Sequence, residues 1–410
     1  MTRDFLTILA AQFFSALADN ALLFAAIALL KEMDAPSWQT PVLQQFFVFA
    51  YIALAPFVGP FADALPKGRV MFLSNAVKIA GCAAMLAGMH PLFAYGLVGI
   101  GAALYSPAKY GILSECLPQN RLVWANGWME GLTVAAIILG AILGGILIGP
   151  RIHEHLVDRL EGLEFNLGLA TAPELAIAII LGLYLVAAIV NLYIPKLPIG
   201  RELPRRTPWY MLRDFRNAFV SLWKDPLGQV SLAVTTLFWG AGATLRLLVL
   251  AWAASALKFN LEQATQLTAL VALGIAMGSV LAARRVPLER AVSVLPMGIG
   301  MGLAVLLLAW VTDWRIAVIL MLLMGAMAGY FVVPMNALLQ HRGHLLMGAG
   351  HSIAVQNFNE NLGILAMLGA YALMIRAGFS VDAIVLAFGG FVAIVMAGVT
   401  KAHRHDQDSD

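Results

Sequence analysis

Ionisable side chains lie inside apolar stretches of the sequence, where charged residues are rare: Asp19, Lys78, Lys109, Glu130, Arg246 and Glu360. A charge at the centre of a bilayer costs roughly 2.5–3.5 kcal/mol, so each is expected to face a wet cavity or a partner of opposite charge. Asp19 shares a helical stripe with Gln12 and Ser15, and Arg246 shares one with Thr235. A carboxylate accepts hydrogen bonds from an ammonium, and a guanidinium fork suits a phosphate, so this pair could bind the two ends of a zwitterion.

The composition predicts where such residues must be held. The chain has 410 residues, of which 61% are hydrophobic and 12% are charged. A soluble domain carries about 25% charged residues, so this composition excludes an ordinary soluble enzyme and a disordered chain. Cys82 and Cys116 lie in apolar runs, which indicates buried thiols rather than a disulfide or a metal site. The sequence therefore predicts an integral membrane protein.

Apolar stretches long enough to cross a bilayer occur six times before a basic linker and six times after it. The predicted organisation is a six-helix bundle over 1–194, a cytoplasmic basic amphipathic linker over 195–226, a second bundle over 227–400 and a tail over 401–410. Most Lys and Arg residues fall on one side of these spans, which predicts that both termini are cytoplasmic. Apolar residues of the linker recur at near-helical spacing, so it either lies along the inner leaflet or acts only as a topology signal.

The two halves of the sequence carry similar features at corresponding places. Pro107 and Pro334 fall in the fourth span of each half, and Glu130 and Glu360 fall in the fifth. A duplicated transporter leaves this pattern. The segment after the second span resembles the corresponding loop of the major facilitator superfamily through Gly59, Asp63, Gly68 and Arg69. That resemblance implies an all-α membrane protein with 12 transmembrane helices in two pseudo-symmetric six-helix bundles, the major facilitator fold.

A narrower resemblance covers nearly the whole chain. It is carried by Ala18-Asp19-Asn20-Ala-Leu-Leu-Phe, Tyr105-Ser-Pro-Ala-Lys109-Tyr110-Gly-Ile-Leu, Phe238-Trp-Gly-Ala-Gly-Ala-Thr-Leu-Arg246, Pro334-Met-Asn-Ala-Leu-Leu-Gln340 and Ala354-Val-Gln-Asn-Phe358. In these motifs the chain resembles the bacterial lysophospholipid transporters. The resemblance implies a flippase of the bacterial inner membrane that moves lysophospholipids, chiefly lysophosphatidylethanolamine, to the inner leaflet. There a functional partner, an acyltransferase/acyl-carrier-protein synthetase, restores the second chain. It implies no cofactor.

The expected substrate-binding residues are those at the matching motif positions: Asp19, Asn20, Lys109, Tyr110 and Arg246. Two alternatives stay open: Asp19 and Arg246 could form only an ion pair that closes one state, and Lys109 could extend to the cytoplasmic interface. Lys78 lacks a polar stripe of its own, so we expect it to pair with an acid inside the protein.

A second group of polar residues is expected to gate the passage between the two halves: Asp63, Lys67, Arg69, Glu130, Asn357 and Glu360. Asp63, Lys67 and Arg69 could instead be ordinary topology charges. Glu130 and Glu360 could instead line a hydrated path for the head group.

The sequence also allows a proton-coupled exporter and a membrane acyltransferase to be considered. In a proton-coupled exporter of amphipathic drugs or metabolites, Asp19, Glu130 or Glu360 would carry protons. A membrane acyltransferase would use the spacing of His153 and Asp158, but this pair lies in a short loop without a surrounding catalytic domain. The sequence contains no phosphate-binding loop and no nucleic-acid-binding module, so we expect neither ATP-driven action nor a nucleic-acid partner.

Overall fold

The computed structural model describes residues 3–36, 39–148, 171–195, 208–259 and 261–407. Within these ranges the regular secondary structure is helical. The α-helices are α1 (Arg3–Glu32), α2 (Gln39–Ala64), α3 (Lys67–Leu86), α4 (Pro91–Cys116), α5 (Leu122–Leu147), α6 (Ala172–Leu192), α7 (Pro208–Lys224), α8 (Pro226–Ala256), α9 (Leu261–Arg285), α10 (Leu295–Leu307), α11 (Trp314–Leu346), α12 (Ala349–Arg376) and α13 (Val381–Gln407). Short 3-10 helices cover Gln119–Arg121, Leu288–Val294 and Leu308–Trp310. The predicted motif at His153 and Asp158, the linker residues 196–207 and the tail residues 408–410 lie outside the described residues.

In the described part of the chain, 12 helices are long and apolar enough to cross a membrane. This number confirms the predicted count of spans and the all-α class. The remaining helix, α7, lies in the predicted linker, between the sixth and seventh spans.

Several helices begin where the sequence supplies a side-chain cap. Thr171 and Glu174 form a reciprocal capping box before α6. Asp225 accepts a hydrogen bond from the backbone N–H of Gly228 at 2.8 Å, and Pro226 follows it as the first residue of α8. A carboxylate satisfies the free N–H groups of a first turn, and proline lacks the N–H that would otherwise be unpaired there. These local signals fix the starts of α6 and α8.

The chain forms two compact units: Met1–Ile112 with Ala135–Leu212, and Leu113–Val134 with Arg213–Asp410. In unit 1, the core is built by α1, α3, α4 and α6, with Leu22, Met85, Val98 and Ile180 among its buried side chains. A Cβ added at Gly140 of α5 would lie 2.8 Å from the carbonyl oxygen of Leu17, so this glycine lets α5 approach α1 closely. Small residues at such contacts take the place of a hydrophobic driving force between membrane helices.

In unit 2, α9 and α11 pack backbone against backbone. Gly274 and Gly278 of α9 meet Gly325 and Ala326 of α11, and a Cβ added to Gly278 would collide with the carbonyl group of Ala326. Gly274 and Gly278 therefore let the backbones of α9 and α11 approach closely, as small residues do between membrane helices.

Helix α7 is amphipathic, as its pattern predicted, but most of its apolar face contacts protein. The rings of Phe215 and Phe219 lie 5.5 and 6.2 Å from the ring of Phe358 on α12. Leu222 is fully buried in the same cluster. Phe215, Phe219 and Leu222 therefore pack against α11 and α12 of unit 2, and the interpretation that part of the linker lies along the inner leaflet stays a prediction. Trp209, at the start of α7, is 78% exposed.

Two polar contacts hold the ends of α7 against unit 2. Near its start, the Asp214 carboxylate lies 3.1 Å from Nε2 of His351 on α12. Just after its end, the guanidinium of Arg342 on α11 donates to both carboxylate oxygens of Asp225. The linker helix is thus fixed to unit 2 by its apolar face, by the contact of Asp214 with His351 and by the ion pair of Asp225 with Arg342.

Candidate functional site

Unit 1 contains a buried ion pair. Nζ of Lys78 on α3 lies 2.8 Å from Oδ2 of Asp19 on α1, and the hydroxyl of Tyr184 on α6 donates to Oδ1 of Asp19 at 2.7 Å. Lys78 is 1% exposed, whereas Asp19 is 21% exposed. The expectation that Lys78 pairs with an acid is confirmed, and that acid is Asp19. The ammonium of Lys78 is therefore closed off from solvent, whereas part of the Asp19 carboxylate remains accessible.

Other polar side chains complete the surroundings of Lys78. Its ammonium also donates to the hydroxyl of Ser15 at 3.0 Å, and that hydroxyl donates to Oδ1 of Asn75 at 2.8 Å. The same ammonium lies 4.9 Å from the centre of the Tyr105 ring, which adds a cation–π contact. A buried ion pair is stable only when further hydrogen bonds offset the loss of water. Lys78 has those contacts on three sides.

A glycine makes room for the lysine. A Cβ added to Gly101 of α4 would lie 2.7 Å from Cγ of Lys78 and 2.7 Å from the carbonyl oxygen of Ser74. The aliphatic stem of Lys78 therefore lies directly against the α4 backbone. This packing orients the ammonium towards Asp19.

Asn20 follows Asp19 on α1. Its Nδ2 donates to the carbonyl oxygen of Ala16 at 2.8 Å. This bond fixes the amide, and no described residue donates to its Oδ1. Asn20 is half-buried and directly follows Asp19 on α1, with its amide oxygen available as an acceptor.

Lys109 and Tyr110 lie on α4, two and three residues after Pro107. Lys109 is buried, and its Nζ lies 4.5 Å from the centre of the neighbouring Tyr110 ring. Tyr110 is half-buried. Proline removes one intrahelical hydrogen bond, which leaves a carbonyl of the preceding turn open to other partners. Lys109 is thus a buried cation of unit 1, on a different helix from Lys78.

Arg246 lies on α8 in unit 2, and its side chain is exposed. Thr235, on the same helical stripe as Arg246, is buried. Gly242 lies one turn before Arg246, and a Cβ added to it would have nothing within 4 Å. Asp19 and Arg246 thus belong to different units, and the predicted meeting of the two charges stays a prediction.

Asp63 and Lys67, expected at a gate, lie at the junction of α2 and α3. Nζ of Lys67 lies 2.9 Å from Oδ1 of Asp63 and 2.7 Å from the carbonyl oxygen of Ala62. Both charged side chains are buried, whereas Arg69 is exposed. The pair therefore ties the end of one helix to the start of the next.

Unit 2 contains a buried network that joins α5 to α11. Asn126 and Gln340 exchange two amide hydrogen bonds, at 2.9 and 2.8 Å. One turn further along α5, Asn336 donates to Oε1 of Glu130 at 3.3 Å. These bonds join a helix of the N-terminal half of the sequence to one of the C-terminal half.

The network continues to α12. Gln356 donates to Oδ1 of Asn336 at 2.9 Å and to Oε1 of Glu360 at 2.7 Å. Two amides therefore connect the carboxylates of Glu130 and Glu360, both of which are buried. Asn357, the remaining residue expected at a gate, is also buried on α12.

Sequence reasoning missed some members of these clusters. Tyr184 lies in an apolar span and carries no charge, so nothing in the local pattern singles it out. Asn75 was also missed, although it lies three residues before Lys78, a spacing that puts the two on one face of α3. Lys78 and Ser15 were noted, but their common partner depends on how α1, α3 and α6 pack.

Comparison with known proteins identifies the family. Residues 8–367 match the family model described as Major Facilitator Superfamily. The chain belongs to the major facilitator superfamily. As a protein of this superfamily with 12 spans, it is a multi-pass protein of the bacterial inner membrane.

Curated relatives of this major facilitator protein share nearly half of its residues. It is 44% identical over 385 residues to "Lysophospholipid transporter LplT" of Yersinia enterocolitica, which covers 93% of this chain and 90% of the relative. It is 45% identical over 377 residues to the protein of the same name from Serratia proteamaculans, covering 92% and 89%.

Solved structures agree on the fold. The major facilitator transporter FucP in the outward conformation superposes with a TM-score of 0.75 at 13% identity, covering 98% of this chain and 99% of FucP. The human organic anion transporter MFSD10 gives a TM-score of 0.72 at 17% identity, covering 98% and 100%. At these identities the likeness shows the fold alone.

Proposed function

We propose that this major facilitator protein transports lysophospholipids across the bacterial inner membrane. The observation that carries the proposal is 44–45% identity to proteins named lysophospholipid transporters, over about nine-tenths of both chains. The chemistry of unit 1 supports it, because α1 there carries a partly accessible carboxylate, that of Asp19, and the acceptor oxygen of the next residue, Asn20. A lipid with an ammonium and a phosphate needs such acceptors and, separately, cationic donors.

The substrate head group binds Asp19, Asn20, Lys109, Tyr110 and Arg246. The ethanolamine ammonium of lysophosphatidylethanolamine donates to the Asp19 carboxylate and to Oδ1 of Asn20. The phosphate accepts from Lys109 and from Arg246, whose planar guanidinium can donate two parallel hydrogen bonds. A zwitterionic head thereby meets both signs of charge. The exposure of Arg246 supports this role, because a guanidinium awaiting a ligand must be accessible.

The transported lipid moves from the outer to the inner leaflet by alternating access, and it enters sideways from the bilayer. Its single acyl chain stays in apolar surroundings while the head crosses through polar groups. The protein is a transporter and not an enzyme, so the lipid leaves unchanged. An acyltransferase/acyl-carrier-protein synthetase then restores the second chain at the inner leaflet.

The gate is formed by Asp63, Lys67, Arg69, Glu130, Asn357 and Glu360. The hydrogen bonds from α5 to α11 support this role, since they are weak enough to open and close. Interhelical hydrogen bonds in membranes contribute on average about 0.6 kcal/mol each. Their acceptors and donors lie on helices from different halves of the sequence, as a gate requires.

The test is transport by the purified protein in liposomes of defined lipid. Lysophosphatidylethanolamine labelled in one leaflet is followed, and two-chain phosphatidylethanolamine serves as the matched control lipid. We expect the protein to accelerate transfer of the one-chain lipid, and mass spectrometry to recover it intact. Equal acceleration of both lipids, or none, would contradict the proposal.

A proton-coupled exporter is the second candidate. The observation that favours it is the amide-bridged chain from Glu130 to Glu360, since hydrogen-bonded carboxylates inside a membrane serve as proton relays. The two candidates differ in their energy source. An exporter's flux collapses without a pH gradient, whereas a facilitated flippase runs on the lipid gradient alone.

A further inference from the structure

Asp19 does not present a lone negative charge to a ligand. Each of its carboxylate oxygens already accepts one hydrogen bond, from Lys78 at 2.8 Å and from Tyr184 at 2.7 Å. Tyr184 is fully buried and Lys78 is 1% exposed, so both donors approach from the protein interior. A ligand on the accessible side therefore meets a carboxylate whose charge is balanced from behind.

We propose that Lys78 sets the head-group selectivity of this site, because its fixed positive charge cancels that of Asp19. The inference rests on the proposed function and deepens it. Because the Asp19–Lys78 pair is neutral, it neither requires a cationic group nor repels an anionic one, while Lys109 and Arg246 bind the phosphate. The site therefore accepts anionic as well as zwitterionic lysophospholipids. Without Lys78, the Asp19 end of the site would favour a cationic group and disfavour an anionic one.

The geometry fits a fixed counter-charge and not a mobile one. Lys78 is held by the hydroxyl of Ser15, by the ring of Tyr105 and by the backbone beside Gly101. It cannot withdraw to water when a ligand arrives, because the lysine is sealed from solvent. Lys78 thus acts through Asp19 and is a positioning residue, with no contact of its own to the lipid.

The test compares two lysophospholipids of different charge in proteoliposomes. Lysophosphatidylethanolamine is zwitterionic and lysophosphatidylglycerol is anionic, and the measured quantity is the ratio of their transport efficiencies. Two charges a few ångströms apart interact strongly enough inside a protein to change such a ratio about tenfold or more.

The two halves of the ion pair should shift the ratio in opposite directions. Lys78→Met leaves the negative charge unbalanced, so the ratio moves towards the zwitterionic lipid by about tenfold. Asp19→Asn leaves the positive charge unbalanced and moves the ratio towards the anionic lipid. The double variant Asp19→Asn/Lys78→Met is neutral again and returns the ratio to near the wild-type value. Lys78→Arg keeps the charge and the wild-type ratio.

Controls separate charge from structure. Lys31→Met removes an exposed lysine at the end of α1 and should leave the ratio unchanged. Tyr184→Phe removes a hydrogen bond to Asp19 without altering the charge, so it should slow both lipids equally. Size-exclusion profiles and melting temperatures show which variants fold.

The outcomes are distinct. Shifts of opposite sign that cancel in the double variant support the inference. Lys78→Met and Asp19→Asn variants that slow both lipids by the same factor, or a Lys78→Arg variant with a shifted ratio, overturn it. If Lys78→Met does not fold, the Asp19→Asn shift and its reversal in the double variant decide. A wild-type protein that transports neither lipid would contradict the proposed function itself.

Discussion

The ammonium of Lys78 on α3 lies 2.8 Å from Oδ2 of Asp19 on α1, and the two residues are 59 positions apart in sequence. The pair explains why both charges persist in an apolar bundle. Each offsets the other, and Tyr184 and Ser15 supply the further hydrogen bonds. Removal of one partner from a buried pair is more harmful than replacement of both, because it leaves an uncompensated charge.

Tyr184→Phe should weaken the site without changing its charge. The substitution leaves Oδ1 of Asp19 without its buried donor, which costs about 1–3 kcal/mol for an unsatisfied polar group. We expect a lower melting temperature in detergent and several-fold slower transport of all head groups. Tyr193→Phe, at a residue that is 73% exposed, is the matched control. Equal melting temperatures for the two variants would show that the hydroxyl has no structural role.

Gly278→Ala should destabilise unit 2. The new Cβ would collide with the backbone of Ala326, and overpacking of this kind costs about 1–3 kcal/mol. Thermal unfolding in detergent measures the effect. Gly145→Ala is the control, because a Cβ there has nothing within 4 Å. Unchanged unfolding of Gly278→Ala would mean that α9 and α11 are free to move apart.

The amides of Asn126 and Gln340 should be energetically coupled. A double-mutant cycle with Asn126→Ala and Gln340→Ala measures the pair apart from other effects of each substitution. We expect a coupling free energy of about 0.6–1.7 kcal/mol, the range found for such bonds in membrane proteins. If the gate depends on this pair, each single variant should also change the rate at which the gate opens. Purely additive effects on stability would contradict the coupling.

The Asp225 carboxyl should make the attachment of α7 sensitive to acid. Burial raises its pKa, but hydrogen bonds from Arg342 and from the N–H of Gly228, together with the charge of Arg342, outweigh burial, so its pKa lies below its usual value of 3.8. Because the pKa is lower in the folded protein than in the unfolded one, the contact stabilises the fold above that usual value. The stabilisation is lost as the pH falls through the lowered pKa.

Hydrogen exchange corrected for the intrinsic rate tests this acid sensitivity. We expect α7 and the first turn of α8 to lose protection below about pH 4 in the wild type. Asp225→Asn keeps a helix cap but removes the charge, so it should show the reduced protection already at pH 7. Protection that is independent of pH in the wild type would show that the ionic contact does not hold the linker helix.

Much of the fold could be predicted from the sequence because hydropathy is a local property. Twelve apolar stretches correspond to the twelve helices that, among the described residues, are long enough to span a membrane. The capping residues Thr171 and Asp225, each followed within two residues by a proline, mark where α6 and α8 begin. The need of Lys78 for an acid also follows from the cost of a buried charge. The identity of that acid does not, because Asp19 reaches it only through the packing of α1 against α3.

The packing partner of the linker helix α7 could not be predicted from the sequence either. Its spacing of Phe215, Phe219 and Leu222 predicts one buried face, but a periodic pattern cannot distinguish lipid from protein as the surface that covers it. Phe358 on α12 is the partner, more than a hundred residues away. Tyr184 was missed for a related reason, since a hydroxyl among apolar residues gives no periodic signal.

The proposed function requires that the Asp19 carboxylate binds the lipid head group during transport. The most direct measurement is the initial rate of lysophosphatidylethanolamine transfer in proteoliposomes, without a pH gradient, for the wild type, Asp19→Asn and Arg246→Ala. We predict that each substitution raises the lipid concentration needed for half-maximal rate by about tenfold, as the loss of one charged contact of about 1.4 kcal/mol requires. Wild-type rates in folded Asp19→Asn or Arg246→Ala protein would contradict the claim.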